Sequence, residues 1–127
     1  MDVWEYFATK RREIEECSGA LDEGFQMAAQ SVEGQRGRVW GRVLLNERAF
    51  LQVSERVRVR GSGVTRDEYA YYLIVDGAEF WGVERDPTHD PVDHSHDSDH
   101  NRAPCSPISL KLALERAWGT LSEEGMS

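Results

Sequence analysis

Both ends of the chain carry apolar residues at helical spacing. Residues 4–14 place Trp, Phe and Ile on one helical face and are followed by a glycine, which predicts an amphipathic helix over residues 1–18. Near the other end, leucines recur at helical spacing after Ser106-Pro107, a pair typical of the N-cap and first position of a helix. The second predicted helix therefore covers residues 106–121.

Between these segments apolar and polar positions alternate, which is the pattern of strands with one buried face. The clearest strand is residues 49–60, where Leu51 and Val53 point one way and Arg56 and Arg58 the other. The predicted strands are residues 25–29, 38–45, 49–60, 65–75 and 80–83, all in a sheet segment of residues 24–84. The sequence thus predicts an α+β fold, a five-stranded antiparallel β-meander flanked by an N-terminal and a C-terminal helix.

Residues 86–105 break this pattern. Apolar residues almost disappear, prolines cluster, and no periodicity remains, so we expect a long loop rich in His and Asp. Loops longer than about 12–15 residues in compact domains are usually functional or disordered. The segment is therefore the first place to look for a site.

Length and composition exclude several classes of protein. The 127 residues fit a single domain, and the net charge of −8 argues against a wholly basic nucleic-acid-coating protein. No apolar run is long enough to span a membrane, and the start lacks a basic, then apolar leader. Cys17 and Cys105 lie far apart, so no disulfide framework is indicated. We expect a cytoplasmic protein that does not engage membranes.

The positive charge is concentrated in the middle of the chain. Residues 36–66 hold eight arginines and two glutamates, a local charge of +6. Guanidinium groups on one strand face suit phosphates, and tyrosines on the same side can stack on bases. The predicted nucleic-acid-binding residues are Arg38, Arg42, Arg56, Arg58, Arg60, Tyr71 and Tyr72. The alternative is a solvated face whose arginines pair with acids of this chain or of a partner protein.

Glu55 falls on the apolar face of the strand over residues 49–60. An ionised carboxylate in that position needs a partner. Glu55 is thus a candidate catalytic acid or base in a cleft, or a structural carboxylate that pairs with an arginine or accepts a tyrosine hydroxyl. We favour the structural role, because ion-pair networks also place carboxylates inside proteins.

All four histidines lie between positions 89 and 100, interleaved with aspartates. In extended backbone His94 and His96 lie on one side, and imidazoles with a carboxylate are ligands for Zn²⁺, Ni²⁺ or Mn²⁺. The predicted ligands of such a divalent transition metal are His94, His96, His100 and Asp90. An imidazole can also pass protons, which makes His89, His94 and His96 candidate catalytic residues for phosphodiester cleavage. The alternative is a mobile acidic loop.

Three motifs follow one another along the chain: F-L-Q-V-S-E over residues 50–55, Y-A-Y-Y over residues 69–72, and D-P-T-H-D-P over residues 86–91, with a second histidine cluster after them. In this order they resemble the TumE-type toxin family of prokaryotic toxin–antitoxin systems. The family has a strand with S-E, a Y-x-Y strand, and a loop with P-H-H-P and a later histidine-rich element. The resemblance covers residues 40–115.

Carried over by position, the resemblance matches Glu55 to the S-E carboxylate, Tyr69 and Tyr71 to the Y-x-Y pair, and His89 with Pro91 to P-H-H-P. The three later histidines correspond to the last element, while Asp90 stands where the family has a second His. The resemblance implies growth inhibition that is neutralised by a DNA-binding antitoxin.

Two functions follow as hypotheses. The first is a toxin, with RNA as substrate, in which arginines hold phosphates, histidines transfer protons or hold a metal, and Glu55 orients the site. The second is a non-catalytic protein-binding module with a metal- or pH-responsive histidine loop. An edge strand near Phe25 could also pair two copies as a homodimer.

Overall fold

The computed structural model describes residues 1–126 and has two helices and one eight-stranded antiparallel sheet. The elements are α1 Val3–Glu16, β1 Ala20–Leu21, β2 Gln26–Ala29, β3 Arg36–Leu44, β4 Ala49–Arg60, β5 Gly63–Val75, β6 Ala78–Arg85, β7 Asp93–Asp97, β8 Arg102–Pro104 and α2 Leu110–Glu123. The predicted α+β class with two flanking helices is confirmed.

The sheet is a meander with one branched edge. Strands β3 to β8 pair in chain order, and β1 and β2 both pair with the same edge of β3. Every pairing is antiparallel. The longest strands, β4 and β5, form the centre and carry the side chains that define both faces.

The prediction of five strands was too low, because it missed the short strand β1 and because the segment over residues 86–105 is not only a loop. It contains β7, which pairs with β6 from Trp81↔Asp97 to Arg85↔Asp93, and β8, which pairs with β7. Strand β7 lacks apolar alternation because it is polar on both faces, with Asp93, Ser95 and Asp97 on one side and the two histidines on the other. Its backbone pairing satisfies the edge of β6, which apolar periodicity does not reveal.

The second helix begins later than predicted. Ser109 is its N-cap, with a side chain that accepts a hydrogen bond from the Leu112 N–H (3.1 Å), and the helix starts at Leu110 rather than near Ser106-Pro107. The first helix is capped in the same way by Asp2. Both helices are short, and neither could cross a membrane.

Both helices pack on one face of the sheet, which we call the inner face. It carries the odd-numbered residues of β3 and β4, such as Val39, Leu51 and Val53, together with Leu73 of β5. The apolar sides of the two helices complete this core. The opposite, outer face carries no helix in residues 1–126, and much of its central part remains accessible to solvent.

One carboxylate is fully buried in this core. Glu55 of β4 accepts a hydrogen bond from the Tyr6 hydroxyl of α1 at Oε1 (2.5 Å) and another from the Tyr71 hydroxyl of β5 at Oε2. Burial, and next the charge of Glu55, raise the pKa of Tyr6 and of Tyr71 far above the ordinary tyrosine range. Both hydroxyls therefore stay protonated and remain donors to the carboxylate.

A β-bulge brings an arginine to the same place. Arg56 pairs with Glu68, but Val57 pairs with Arg66, so Asp67 is an extra residue in β5. The extra residue reverses the alternation of the start of β5. Arg66, which simple parity would put on the outer face, consequently points inward.

Arg66 links the buried carboxylate to the segment before α2. Its Nη1 donates to the Tyr71 hydroxyl (2.9 Å) and to the Ile108 carbonyl (2.6 Å), and its guanidinium lies over the Tyr69 ring at 4.2 Å. The Tyr69 hydroxyl in turn accepts the Ile108 N–H (3.0 Å). This network fixes both helices to the inner face.

We predict that Tyr6→Phe destabilises the protein by about 1.5–3 kcal/mol, because it removes a hydrogen bond to a buried charged group. The free energy of unfolding measured in urea checks this value. Tyr72→Phe is the matched control, since Tyr72 lies on the outer face, and should change stability by less than about 0.5 kcal/mol. Equal stability of the two variants would show that Glu55 does not depend on Tyr6.

Candidate functional site

Strand register assembles the outer face into cross-strand rows. Each row runs across the strands in order, starting at β3. One row ends on β5 and is Arg38–Arg56–Glu68; two rows continue to β7 and are Trp40–Ser54–Ala70–Glu84–His94 and Arg42–Gln52–Tyr72–Gly82–His96. Arginines therefore lie on β3 and β4 and histidines on β7, with the small residues Ser54, Ala70 and Gly82 among those between them. The predicted arginine and histidine groups share one face, at opposite ends.

The arginines of β4 are partly neutralised by acids of β5. The Arg58 Nε lies 2.8 Å from an Asp67 carboxylate oxygen, and the Arg56 Nε lies 3.7 Å from Glu68. Arg56 keeps 60% of its side chain exposed. Of these two arginines, Arg56 is thus the one with a guanidinium more open to a ligand.

Two arginines of β3 contact other side chains of this chain. Arg42 pairs with Asp22 from the connection before β2, and Arg38 lies over the Trp40 ring at 4.8 Å. Arg60, at the end of β4, is exposed. Acids of this chain therefore pair with Arg42, Arg56 and Arg58. Such pairing was the alternative to a free phosphate-binding face.

The two consecutive tyrosines lie on opposite faces. Tyr72 is on the outer face, with its ring centroid 5.5 Å from that of His96. Tyr71 is fully buried on the inner face against Glu55, so it cannot stack on a base bound beside the arginines. Glu55 itself has the tyrosine hydrogen bonds of a structural carboxylate and is separated by the sheet from the outward histidines.

The four histidines form a line across the outer face. Neighbouring ring centroids are 5.8 Å apart for His89 and His94, and 6.3 Å apart for both His94–His96 and His96–His100. Two glutamates of β6 divide this line into two clusters. The Glu84 cluster contains Glu84, His89 and His94, and the Glu79 cluster contains Glu79, His96 and His100.

The Glu84 cluster is held by hydrogen bonds. His94 is buried, with its Nε2 2.7 Å from Glu84 Oε2 and its Nδ1 3.2 Å from the Pro91 carbonyl oxygen. Both partners are acceptors, so both contacts are hydrogen bonds when the imidazole carries two protons. The His94 ring therefore fixes the orientation of the Glu84 carboxylate.

His89 stands at the open side of this cluster. Its Nδ1 lies 3.2 Å from an Asp86 carboxylate oxygen, and 41% of its side chain is exposed. Hydrogen bonds from the Thr88 hydroxyl and N–H, in that order, hold the pKa of Asp86 below its usual range. An ionised Asp86 orients His89 and leaves its Nε2 for a ligand.

The Glu79 cluster lies next to the Glu84 cluster, with His96 two residues after His94 on β7. Glu79 Oε2 is 2.9 Å from His96 Nδ1 and 3.5 Å from His100 Nδ1. His96 is mostly buried, whereas 76% of the His100 side chain is exposed. This cluster therefore has one fixed and one accessible imidazole.

The predicted ligand set is divided by this arrangement. His96 and His100 converge, but His94 belongs to the neighbouring cluster, and Asp90 is exposed and outside both groups found in residues 1–126. The cause is the backbone between positions 86 and 92, which turns back over His94 and leaves the Asp90 side chain in solvent.

A surface pocket lies between the arginine side and the Glu84 cluster. Its lining includes Ser54, Arg56, Ala70, Glu84 and Thr88. The small side chains of Ser54 and Ala70 form its floor in the middle row of the sheet. A phosphate in this pocket would meet the Arg56 guanidinium on one side and the Glu84 carboxylate on the other, and the lining also contains Arg85 and the carboxylates of Glu68 and Asp86.

Glu79 and Glu84 were not predicted as site residues. Glu84 could have been found by extending the strand over residues 80–83 by one position, because it shares the parity of Gly82. Glu79 has the opposite parity and could not. A bulge that pairs Leu73 with Trp81 but Ile74 with Glu79 turns it to the outer face.

We predict that Gly82→Ala destabilises the protein by about 1–3 kcal/mol, because its added methyl group collides with two rings. A Cβ at this position would lie 2.7 Å from His96 Cε1 and still closer to the Tyr72 ring. Urea unfolding measures the effect. Gly119→Ala, in an open part of α2, is the control and should be neutral or stabilising. A Gly82→Ala variant as stable as the wild type would contradict the close packing of the Tyr72 and His96 rings on Gly82.

The chain was also compared with known proteins. No family model, no curated protein sequence and no solved structure matches it. Its function is therefore inferred from the chemistry of the outer face and from the motif resemblance.

Proposed function

We propose that this protein is the toxin of a toxin–antitoxin pair and that it cleaves RNA on the outer face of its sheet. The observation that carries the proposal is the pocket lined by both Arg56 and Glu84, where Glu84 also belongs to the cluster that contains His89. The motif resemblance to TumE-type toxins supports the role in growth inhibition.

Substrate binding would use the arginine side of the outer face. Arg56 is the exposed guanidinium at the pocket and would hold the phosphate that is cleaved. Tyr72, two residues along β5 from the pocket floor at Ala70, is placed to stack on a base. The net charge of −8 opposes a polyanion at long range, so binding would depend on these local contacts and weaken with salt.

The reaction would be an internal transfer at phosphorus. The Glu84 carboxylate takes the proton of the ribose 2′-hydroxyl as its oxygen forms a bond to phosphorus, and the bond from phosphorus to the 5′-oxygen breaks. Protonated His89 gives a proton to that leaving oxygen. The products are a 2′,3′-cyclic phosphate and a 5′-hydroxyl, with no net consumption of water.

The remaining residues of the cluster would position these two groups. Asp86 orients the His89 imidazole through its contact with Nδ1. His94 orients Glu84, and because it is buried it is a positioning residue rather than a group that touches substrate. Glu55 would act only through the fold.

A second candidate function is a protein-binding module without catalysis. It is favoured by the acids that already pair with Arg42, Arg56 and Arg58, since these pairs reduce the charge available to a polyanion. An antitoxin is the partner that both candidates share. β2 pairs only with β3 within residues 1–126, so its free edge also suits a homodimer contact.

We predict that His89→Ala lowers the rate of RNA cleavage by about 10²- to 10⁴-fold, the usual contribution of a general acid. Glu84→Gln should lower it to a similar extent, because an amide cannot take the proton. Glu15→Gln, an exposed carboxylate of α1, is the matched control and should cleave at the wild-type rate. Cleavage of total RNA, measured with and without divalent metal, checks the rates.

Growth assays connect this chemistry to the toxin role. Expression of the wild-type chain should stop growth, and His89→Ala should relieve the arrest. If the purified protein leaves RNA intact under both metal conditions while still stopping growth, RNA cleavage is wrong and the binding module becomes the better candidate.

A further inference from the structure

We propose that Glu79, His96 and His100 form a binding site for one divalent transition metal ion of the zinc type. The site is separate from the Glu84 cluster, and the proposal stands independently of RNA cleavage. It rests on the convergence of three ligand groups from β6, β7 and the turn after β7.

The spacing of the ligand atoms fits a single tetrahedral ion. Zinc binds imidazole nitrogen and carboxylate oxygen at about 2.0–2.2 Å, so two ligand atoms on one ion stand about 3.3 Å apart. The distances from Glu79 Oε2 to the Nδ1 atoms of His96 and His100 are 2.9 and 3.5 Å. These distances bracket the value expected for a shared ion.

Two of the three ligand atoms make no hydrogen bond in the described part of the chain. Glu79 Oε2 and His96 Nδ1 are both buried, yet within residues 1–126 neither has a hydrogen-bond partner of acceptable geometry, although they lie 2.9 Å apart. Buried polar atoms of this kind are costly unless something satisfies them. In the Glu84 cluster, by contrast, His94 and Glu84 do form a hydrogen bond. The unsatisfied pair points to a cation that both atoms would bind.

The surrounding structure holds two of the ligands in place. The His96 ring packs over Gly82 and beside Tyr72, where no side chain other than hydrogen fits at position 82. His100 is in the left-handed region, with φ of 63°, in a turn whose N–H groups at Asp99 and Asn101 bond to the Asp97 carboxylate. This turn directs the His100 imidazole back toward Glu79.

Two imidazoles and one carboxylate are a common zinc ligand set, and they leave a fourth position for water or a ligand. His96 pairs with Arg102 of β8. Arg102 is exposed, so its positive charge can stay in solvent when the neighbouring cluster binds a cation. A bound ion would join β6 to the β7–β8 hairpin. Metal binding should therefore raise the melting temperature.

Calorimetric titration of the metal-free protein with Zn²⁺ tests the site. We expect one equivalent to bind. Loss of an outer-shell partner of a metal ligand weakens binding by roughly 10- to 100-fold, so His100→Ala, which removes a ligand itself, should weaken binding by at least that factor. His100 is exposed, so its replacement leaves the core intact. Glu79→Gln should weaken binding similarly, while Asp99→Asn, a carboxylate in the same turn, is the matched control and should bind as wild type.

The rise in melting temperature with Zn²⁺ provides a second readout and should disappear in His100→Ala. The proposal is overturned if the wild-type protein binds no Zn²⁺ or if His100→Ala and Glu79→Gln bind it unchanged. It is also overturned if His89→Ala, rather than His100→Ala, abolishes binding, because the ion would then belong to the Glu84 cluster. None of these results depends on whether RNA is cleaved.

Discussion

The fold is organised around one buried charge. The Glu55 carboxylate has no access to water and is stabilised by donors from two different elements, Tyr6 of α1 and Tyr71 of β5. Arg66 extends the network from Tyr71 to the Ile108 carbonyl, just before α2. Tyr6 can reach this charge only when α1 lies on the inner face, and the bond from Arg66 to the Ile108 carbonyl holds the segment before α2 on the same side. The outer face is thereby left free for polar groups that a core would exclude.

What the outer face can do follows from its distribution of charge. Arginines on β3 and β4 carry the local excess of positive charge, whereas β6 and β7 bring glutamates and histidines together. Ser54 and Ala70 keep the space between these groups open, so that one ligand can touch both. The acids that pair with Arg56 and Arg58 reduce the positive charge that this face presents to solvent.

Simple alternation predicts the central strands, the outward arginines of β4 and the common side of His94 and His96, because these segments follow an unbroken period of two. It fails where the register shifts. The two bulges turn Arg66 inward and Glu79 outward, and no local pattern marks either change. It also fails for β7 and β8, whose polar side chains carry no apolar signal and whose pairing depends on the edge of β6.

The most direct test of RNA cleavage at the Glu84 cluster is the chemistry of the product ends. A defined single-stranded RNA is incubated with the purified wild-type protein in a chelator, and the termini are identified by mass spectrometry. Proton transfer by Glu84 and His89 with attack by the 2′-hydroxyl predicts 2′,3′-cyclic phosphate and 5′-hydroxyl ends. Intact RNA, or fragments with 5′-phosphate and 3′-hydroxyl ends, would contradict the account, because those ends require attack by water instead.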